Sequence, residues 1–201
     1  MPAAFFIFVT IFQGILVFGH WFLYETAVLF FGITDSGVLL ALRVVLGILS
    51  FIFIPASVIA YRRTGRWVRV FYTFAATWLG VFVFFSAAAY FSWVALGVLS
   101  FFNVLVDPGA VLAVFLLLGL AGAVYAVLNA SWIRVTRVSV PLANLPRSWR
   151  EKKILWVSDL HLGQVRNYSY ARKVVERMQE LKPDIIFIGG DLYDGVAVDA
   201  E

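Results

Sequence analysis

The first 130 residues are dominated by long uninterrupted apolar runs, and the last 71 switch to short apolar runs separated by charged and turn-forming residues. A spanning helix needs about 20 apolar residues to cross a ~30 Å hydrocarbon core. Four stretches reach that length: Ala3 to Tyr24, Val38 to Tyr61, Val70 to about Phe91, and Ala110 to Ala130. Between the third and fourth lies a shorter apolar stretch, Ser92 to Val106. Its pattern is compatible with a prolonged third helix, an interfacial segment or a re-entrant one. Beyond residue 130, Ile133 to Val140 alternates and is rich in β-branched residues, which predicts a strand. Pro141 and Pro146 mark a connector. Ile154 to Ser158 and Asp184 to Gly190 predict short strands buried on both faces. Between them, Tyr170, Val174, Met178 and Leu181 recur on one face of a helix. Asn167 or Ser169 is placed to cap that helix and Lys182-Pro183 to stop it. Strand, helix and strand of these lengths predict a parallel βαβ unit.

Composition sharpens the division. Apolar residues make up 62% of the chain and charged residues 14%, with mean hydropathy +0.91, which excludes an ordinary soluble globule and a disordered chain. Residues 1–130 hold only eight charges, whereas 131–201 hold eleven basic and nine acidic residues. Domains are therefore expected at 1–132, a transmembrane helical domain, and at 133–201. There is no cysteine, so thiolate metal sites, disulfides and cysteine nucleophiles are excluded. The net charge of +4 is spread over both parts without a Lys/Arg-rich run, so no nucleic-acid partner is expected. The first stretch has neither a basic leader nor a small-residue cleavage site, so a cleaved signal peptide is not expected.

Lys/Arg asymmetry sets the expected orientation. Arg62, Arg63, Arg66 and Arg69 separate spans two and three, and a second basic segment follows span four. The other two loops contain no Lys or Arg. Four spans put both basic segments on one side, which is expected to be the cytoplasm together with both termini. Arg43, inside span two, is read as an arginine snorkelling to the outer interface, with contact to a lipid phosphate as the alternative. His20 is read as an interfacial histidine. Trp21, Tyr24, Tyr61, Trp67 and Trp132 fit an aromatic belt.

The chemistry is expected in the polar segment. Both strands of a βαβ unit point the same way, so Asp159 and His161 after the first strand should converge with Asp191 after the second. Two carboxylates about 4 Å apart repel by about 4 kcal/mol at an effective dielectric of ~20. No Lys or Arg falls in either strand-end motif. A divalent cation answers that repulsion, and two Asp oxygens with a His nitrogen suit Mn, Fe, Zn or Mg. Asp194 is expected either to cap the loop or to accept a hydrogen bond behind a ligand, with direct ligation as the alternative.

At these residues the chain resembles the calcineurin-like metallophosphoesterase superfamily, through ILWVSDLHLG (Ile154 to Gly163) and KPDIIFIGGDLYDG (Lys182 to Gly195). The spans resemble those of bacterial membrane-anchored members. The implied fold is an α-helical membrane bundle of about four spans followed by the first part of an α/β metallophosphoesterase domain. The resemblance implies that Asp159 and His161 bind a first metal and that Asp191 bridges two divalent metals. Later family motifs supply an Asn-His pair and further His ligands, whereas this chain holds only His20 and His161. It is therefore expected to be a truncated piece, inactive or nearly so alone, and no catalytic residue is assigned. The expected function is a metal-dependent phosphoric ester hydrolase in a bacterial inner membrane, facing the cytoplasm. Membrane lipids are its expected partners, and its location favours a lipid-linked phosphoester substrate. The rival readings are a four-span binding or transport module with a non-catalytic tail, and a membrane interaction scaffold.

Overall fold

The computed structural model describes residues 3–194. Its elements are α1 (Ala3–Phe31), α2 (Ser36–Phe51), α3 (Phe53–Arg62), α4 (Arg66–Phe101), α5 (Pro108–Ala130), a single 3-10 turn (Arg147–Trp149), β1 (Ile154–Val157), α6 (Tyr168–Leu181) and β2 (Ile185–Ile188). The chain forms two compact units. One comprises the chain to Val58 with Thr73–Ser131, and the other comprises Ile59–Tyr72 with the chain from Trp132 onward.

The helical unit contains the membrane bundle. Four helical stretches are long and apolar enough to cross a membrane: α1, α2 with α3, α4 and α5. The second crossing is broken after Phe51. Pro55 explains the break, because it has no amide hydrogen to give to the Phe51 carbonyl and its ring presses on that carbonyl. Helix α4 runs without interruption through Ser92 and on to Phe101, so the apolar stretch after the third span prolongs that span. Its 36 residues make a rod of about 54 Å, well beyond a ~30 Å core.

The few acids in this unit have structural work. Asp35 caps α2 by accepting from the Val38 amide at 2.8 Å. Asp107 caps α5 by accepting from Gly109 and Ala110 at 3.2 and 3.1 Å, with Pro108 in the first turn. Both satisfy amides that a helix start leaves without partners. Two helices stop by closing a left-handed residue. Gly32 (φ 60°) ends α1 with Ile33 N–H donating to Val28 O, and Asn103 (φ 60°) ends α4 with Val104 N–H donating to Leu99 O.

Packing within the bundle rests on aromatic rings and small residues. Helix α1 packs on α2 and α5, and its core cluster joins Leu16 and Leu23 to Phe82 and Ala89 of α4. Helix α5 approaches α4 through Gly119 and Gly122: an added Cβ would meet the Phe84 carbonyl at 3.1 Å and the Phe84 ring at 2.9 Å. Small residues of this kind let membrane helices close up where no hydrophobic drive separates protein from lipid.

His20, which the sequence reads as interfacial, is buried within the bundle. It is 3% exposed, stacked on Phe82 with ring centroids 4.1 Å apart, and both ring nitrogens are engaged. Nδ1 donates to Leu16 O at 2.7 Å and Nε2 accepts from Trp78 Nε1 at 3.0 Å. This pairing specifies the neutral Nδ1–H tautomer and leaves no nitrogen for a metal. Tyr24, read from sequence as a belt residue, is also buried, and its hydroxyl accepts from Arg43 Nε at 2.8 Å.

In the polar unit β1 and β2 form a parallel pair, with Ile154 opposite Ile185 and Val157 opposite Ile188. Asp184 ties the two strand starts together. Its carboxylate accepts from Lys152 Nζ at 2.7 Å and from the Lys153 amide at 2.9 Å, while its own amide donates to Lys153 O. The Lys152 hydrogen bond, then the Lys153 amide, hold this carboxyl below the usual aspartate range. Helix α6 starts at Asn167, whose side chain accepts from the Ser169 amide, and stops at left-handed Lys182 before Pro183. Val174 is its buried residue, and Tyr170, Met178 and Leu181 line one cleft with Leu155 and Val157, the face the spacing predicts.

The expected strand over Ile133–Val140 is absent. Alternation suits a strand only where a neighbour completes the ladder. Here Val135–Val138 run beside Lys152–Leu155 across a cleft of about 390 Å³, and β1 pairs with β2 instead.

Candidate metal centre

Where the two strands end, the backbones stay paired for several more residues. Gly189 N–H donates to Val157 O, Asp159 N–H to Gly190 O, His161 N–H to Asp191 O and Leu162 N–H to Leu192 O, at 2.7 to 3.3 Å. Asp194 N–H then donates to Leu162 O at 3.0 Å. The parallel register thus carries Asp159, His161 and Asp191 to one edge. A ligand atom from each lies within 4.8 Å of the others. Asp159 and Asp191 are exposed and His161 is half-buried, so the group opens to solvent.

The local conformation is unusual. Asp159 (φ 57°), His161 (φ 47°) and Asp191 (φ 45°) all occupy the left-handed region, with Gly190 at φ 106° between strand and acid. Non-glycine residues rarely adopt this region, although Asp, Asn and His tolerate it best. Each such residue costs on the order of 1 kcal/mol or more and persists only where surrounding structure enforces it. The inter-loop ladder supplies that enforcement, and the torsions turn three side chains out of an extended path toward one point.

Asp194 lies behind the histidine. Its Oδ1 is 2.9 Å from His161 Nδ1. With Nδ1–H donating to that carboxylate, Nε2 is left with its lone pair, the arrangement that orients a ligating imidazole. Two carboxylate oxygens and one imidazole nitrogen gathered here make a donor set that suits a single hard or borderline divalent cation. No other group of three such residues gathers in this way among the described residues.

One contributor escapes the sequence reading. Arg166 Nη1 donates to the carbonyls of Asp159 and Leu160 at 3.1 and 3.2 Å, its guanidinium lies 5.2 Å from the Tyr170 ring centre, and its own carbonyl accepts from Gly163 N–H. It stitches the loop that carries Asp159 and His161 to the start of α6. Its sequence signal is weak: a single cation in the loop after a strand, outside the strand-end motif. Gly195, the last residue of the second motif, lies outside the described residues.

The calcineurin-like phosphoesterase family model matches residues 152–201. That range contains both strand ends and all three converging side chains. Among curated relatives, a transmembrane protein with metallophosphoesterase domain from Danio rerio is 37% identical over 73 residues, covering 36% of this chain and 17% of the relative. A protein of the same description from Bos taurus is 40% identical over 63 residues, covering 31% of this chain and 14% of the relative. The matched part is thus a small fraction of these relatives' length. Both are animal proteins whose names join membrane spans with a metallophosphoesterase domain. No solved structure gives a significant match.

Proposed function

We propose that this protein is a membrane-anchored, metal-dependent phosphoesterase in which Asp159, His161 and Asp191 hold a divalent cation. The carrying observation is the gathering of those three ligand atoms within 4.8 Å at the ends of two parallel strands, inside the segment matched by the phosphoesterase family. A divalent cation there supplies Lewis acidity toward a phosphoryl oxygen and acidifies a coordinated water. The chain's own residues do the rest: Asp194 fixes the His161 tautomer, Arg166 holds the loop, and the left-handed torsions aim the acids. By the resemblance Asp191 would also help to hold a second divalent ion. The second ion needs donors beyond these three, so the 201 residues on their own bind metal but turn over phosphoesters poorly or not at all.

Lys/Arg bias supports placing this centre on the cytoplasmic side of the membrane, next to lipid. A lipid-linked phosphoester is the substrate class that such a location favours. A bacterial inner membrane belongs to the same reading and rests on the resemblance of the spans, since the relatives named above are from animals. A binding or transport module with an inert tail leaves the Asp-His-Asp gathering without a purpose.

The test is calorimetric titration of Mn into the purified chain in detergent, beside the Asp191→Asn variant. Stoichiometric binding in the parent and its loss in the variant are expected. Equal binding by both refutes the centre. In a longer chain carrying further donors, hydrolysis of a phosphodiester should depend on added Mn and on Asp191.

A further inference from the structure

The helical unit holds a second place where charge and shape converge, unrelated to the phosphoesterase reading. Between α1 and α2 lies a cleft of about 380 Å³ lined by Trp21, Tyr24, Glu25, Arg43, Leu46 and Phe51, among others. Tyr24 and Glu25 sit about 10 Å along α1 from its end at Phe31, and Arg43 sits about 10 Å along α2 from its start at Ser36. The charges therefore lie below a headgroup layer but within its reach. A second groove of about 390 Å³ adjoins this cleft, shares Val17, Trp21 and Phe51 with it, and continues along α1 past Phe18 and Gly14 to Gln13. The polar cleft thus opens onto a shallow, largely apolar groove on the surface of α1.

The two charges lining the cleft are not spent on each other. Arg43 Nε donates to the buried Tyr24 hydroxyl at 2.8 Å, and its guanidinium carbon lies 5.2 Å from that ring's centre. Glu25 Oε1 accepts from Trp21 Nε1 at 3.1 Å. Arg43 and Glu25 form no ion pair with each other, and the Nη donors of Arg43 have no protein partner, among the described residues. Opposite charges held apart in a low-dielectric setting keep a strong unmet attraction, and a ligand carrying both signs would satisfy both at once. A bare anion would meet Glu25, and a bare cation would meet Arg43.

We infer that this cleft binds one zwitterionic aminophospholipid, its phosphate on Arg43, its ammonium on Glu25 and an acyl chain in the Val17–Phe18 groove. Tyr24 is a positioning residue that holds the guanidinium over the cleft.

The test uses the full chain in nanodiscs formed from equal parts of ethanolamine, choline and glycerol phospholipids. Retained lipid is counted by mass spectrometry after transfer to mild detergent. About one ethanolamine lipid per chain is expected, enriched several-fold over the other two. Arg43→Gln should cut retention at least tenfold, and Arg43→Lys should keep a measurable part of it. Glu25→Gln should abolish the preference for ethanolamine over glycerol lipid without abolishing retention. Equal retention of all three lipids, or unchanged retention in both Arg43→Gln and Glu25→Gln, overturns the inference. Soluble phosphoethanolamine is the control for the headgroup alone: competition at concentrations comparable to the lipid would show that the groove takes no part and would overturn it as well. Helicity by circular dichroism confirms that each variant is folded, and the Arg43→Lys and Glu25→Gln pair decides the matter if Arg43→Gln does not fold.

Discussion

Replacing Asp191 with Asn should have opposite effects on the metal-free and metal-bound centre. Asparagine tolerates the left-handed torsion at this position much as aspartate does, so the substitution removes a charge without adding backbone strain. In the metal-free protein Asp159 and Asp191 contribute two like charges with ligand atoms within 4.8 Å. Their repulsion is about 3.5 kcal/mol at an effective dielectric of 20 and about 0.9 kcal/mol at the dielectric of water. Both carboxylates are exposed, which selects the lower figure. Metal-free Asp191→Asn should therefore hold the strand-end loops about 1 kcal/mol more firmly, or about fivefold in an opening equilibrium. With Mn at 100 times its dissociation constant the parent gains about 2.7 kcal/mol and the variant gains almost nothing. The order of the two proteins then reverses. Hydrogen–deuterium exchange of peptides covering 154–162 and 185–192, with and without Mn, reads both effects. Faster metal-free exchange in the variant would refute the reasoning, because it would make the Asp191 carboxylate a structural tie and not a source of repulsion.

Other outcomes follow from the same geometry. Asp194→Ala frees His161 Nδ1 and should weaken Mn binding roughly 10–100-fold in calorimetry, with the stoichiometry unchanged; an unaltered affinity would show that the contact does not orient the ring. His20→Phe keeps an aromatic ring against Phe82 but strands the Trp78 N–H in the bundle, a loss of about 1–3 kcal/mol by general experience and nearer 0.6 kcal/mol by membrane double-mutant cycles. A cycle with Trp78→Phe, read by SDS-induced unfolding, should give a coupling between those limits, and a coupling of zero would remove the hydrogen bond from the account. The Asp184 carboxyl is held below its unfolded value, so its clamp on β1 is in force above the usual aspartate range and is lost as pH falls through the lowered value. The Lys153 amide resonance should report that transition by NMR, and Asp184→Asn should abolish it.

The sequence shows most clearly what depends on local composition. Span length and the 3.6-residue recurrence through Val174 and Met178 need no knowledge of neighbours, and the helices appear where they predict. The extension of α4 to Phe101 could not be separated from an interfacial or re-entrant path, because apolar continuity is common to all three. The strand expected at Ile133–Val140 failed for a reason of partnership: alternation reports a face, while a strand needs a ladder. The burial of His20 is hidden from the sequence in the same way, since nothing near it announces that Trp78 and Phe82 lie across from it. The convergence expected of Asp159, His161 and Asp191 follows from parallel strands alone, and the structure brings the three together. Their shared left-handed torsions, and the grip of Arg166 on the Asp159 and Leu160 carbonyls, arise from contacts between loops and leave no local signature.

The occupied imidazole in the bundle has a practical consequence. The chain contains two histidines, and one of them is sealed beneath Phe82 with both nitrogens engaged. An acylating reagent such as diethyl pyrocarbonate, applied to the folded protein, therefore has one imidazole to react with, His161. Its labelling rate becomes a single-site gauge of whether the phosphoesterase-like edge is open or filled, readable in detergent without any substrate.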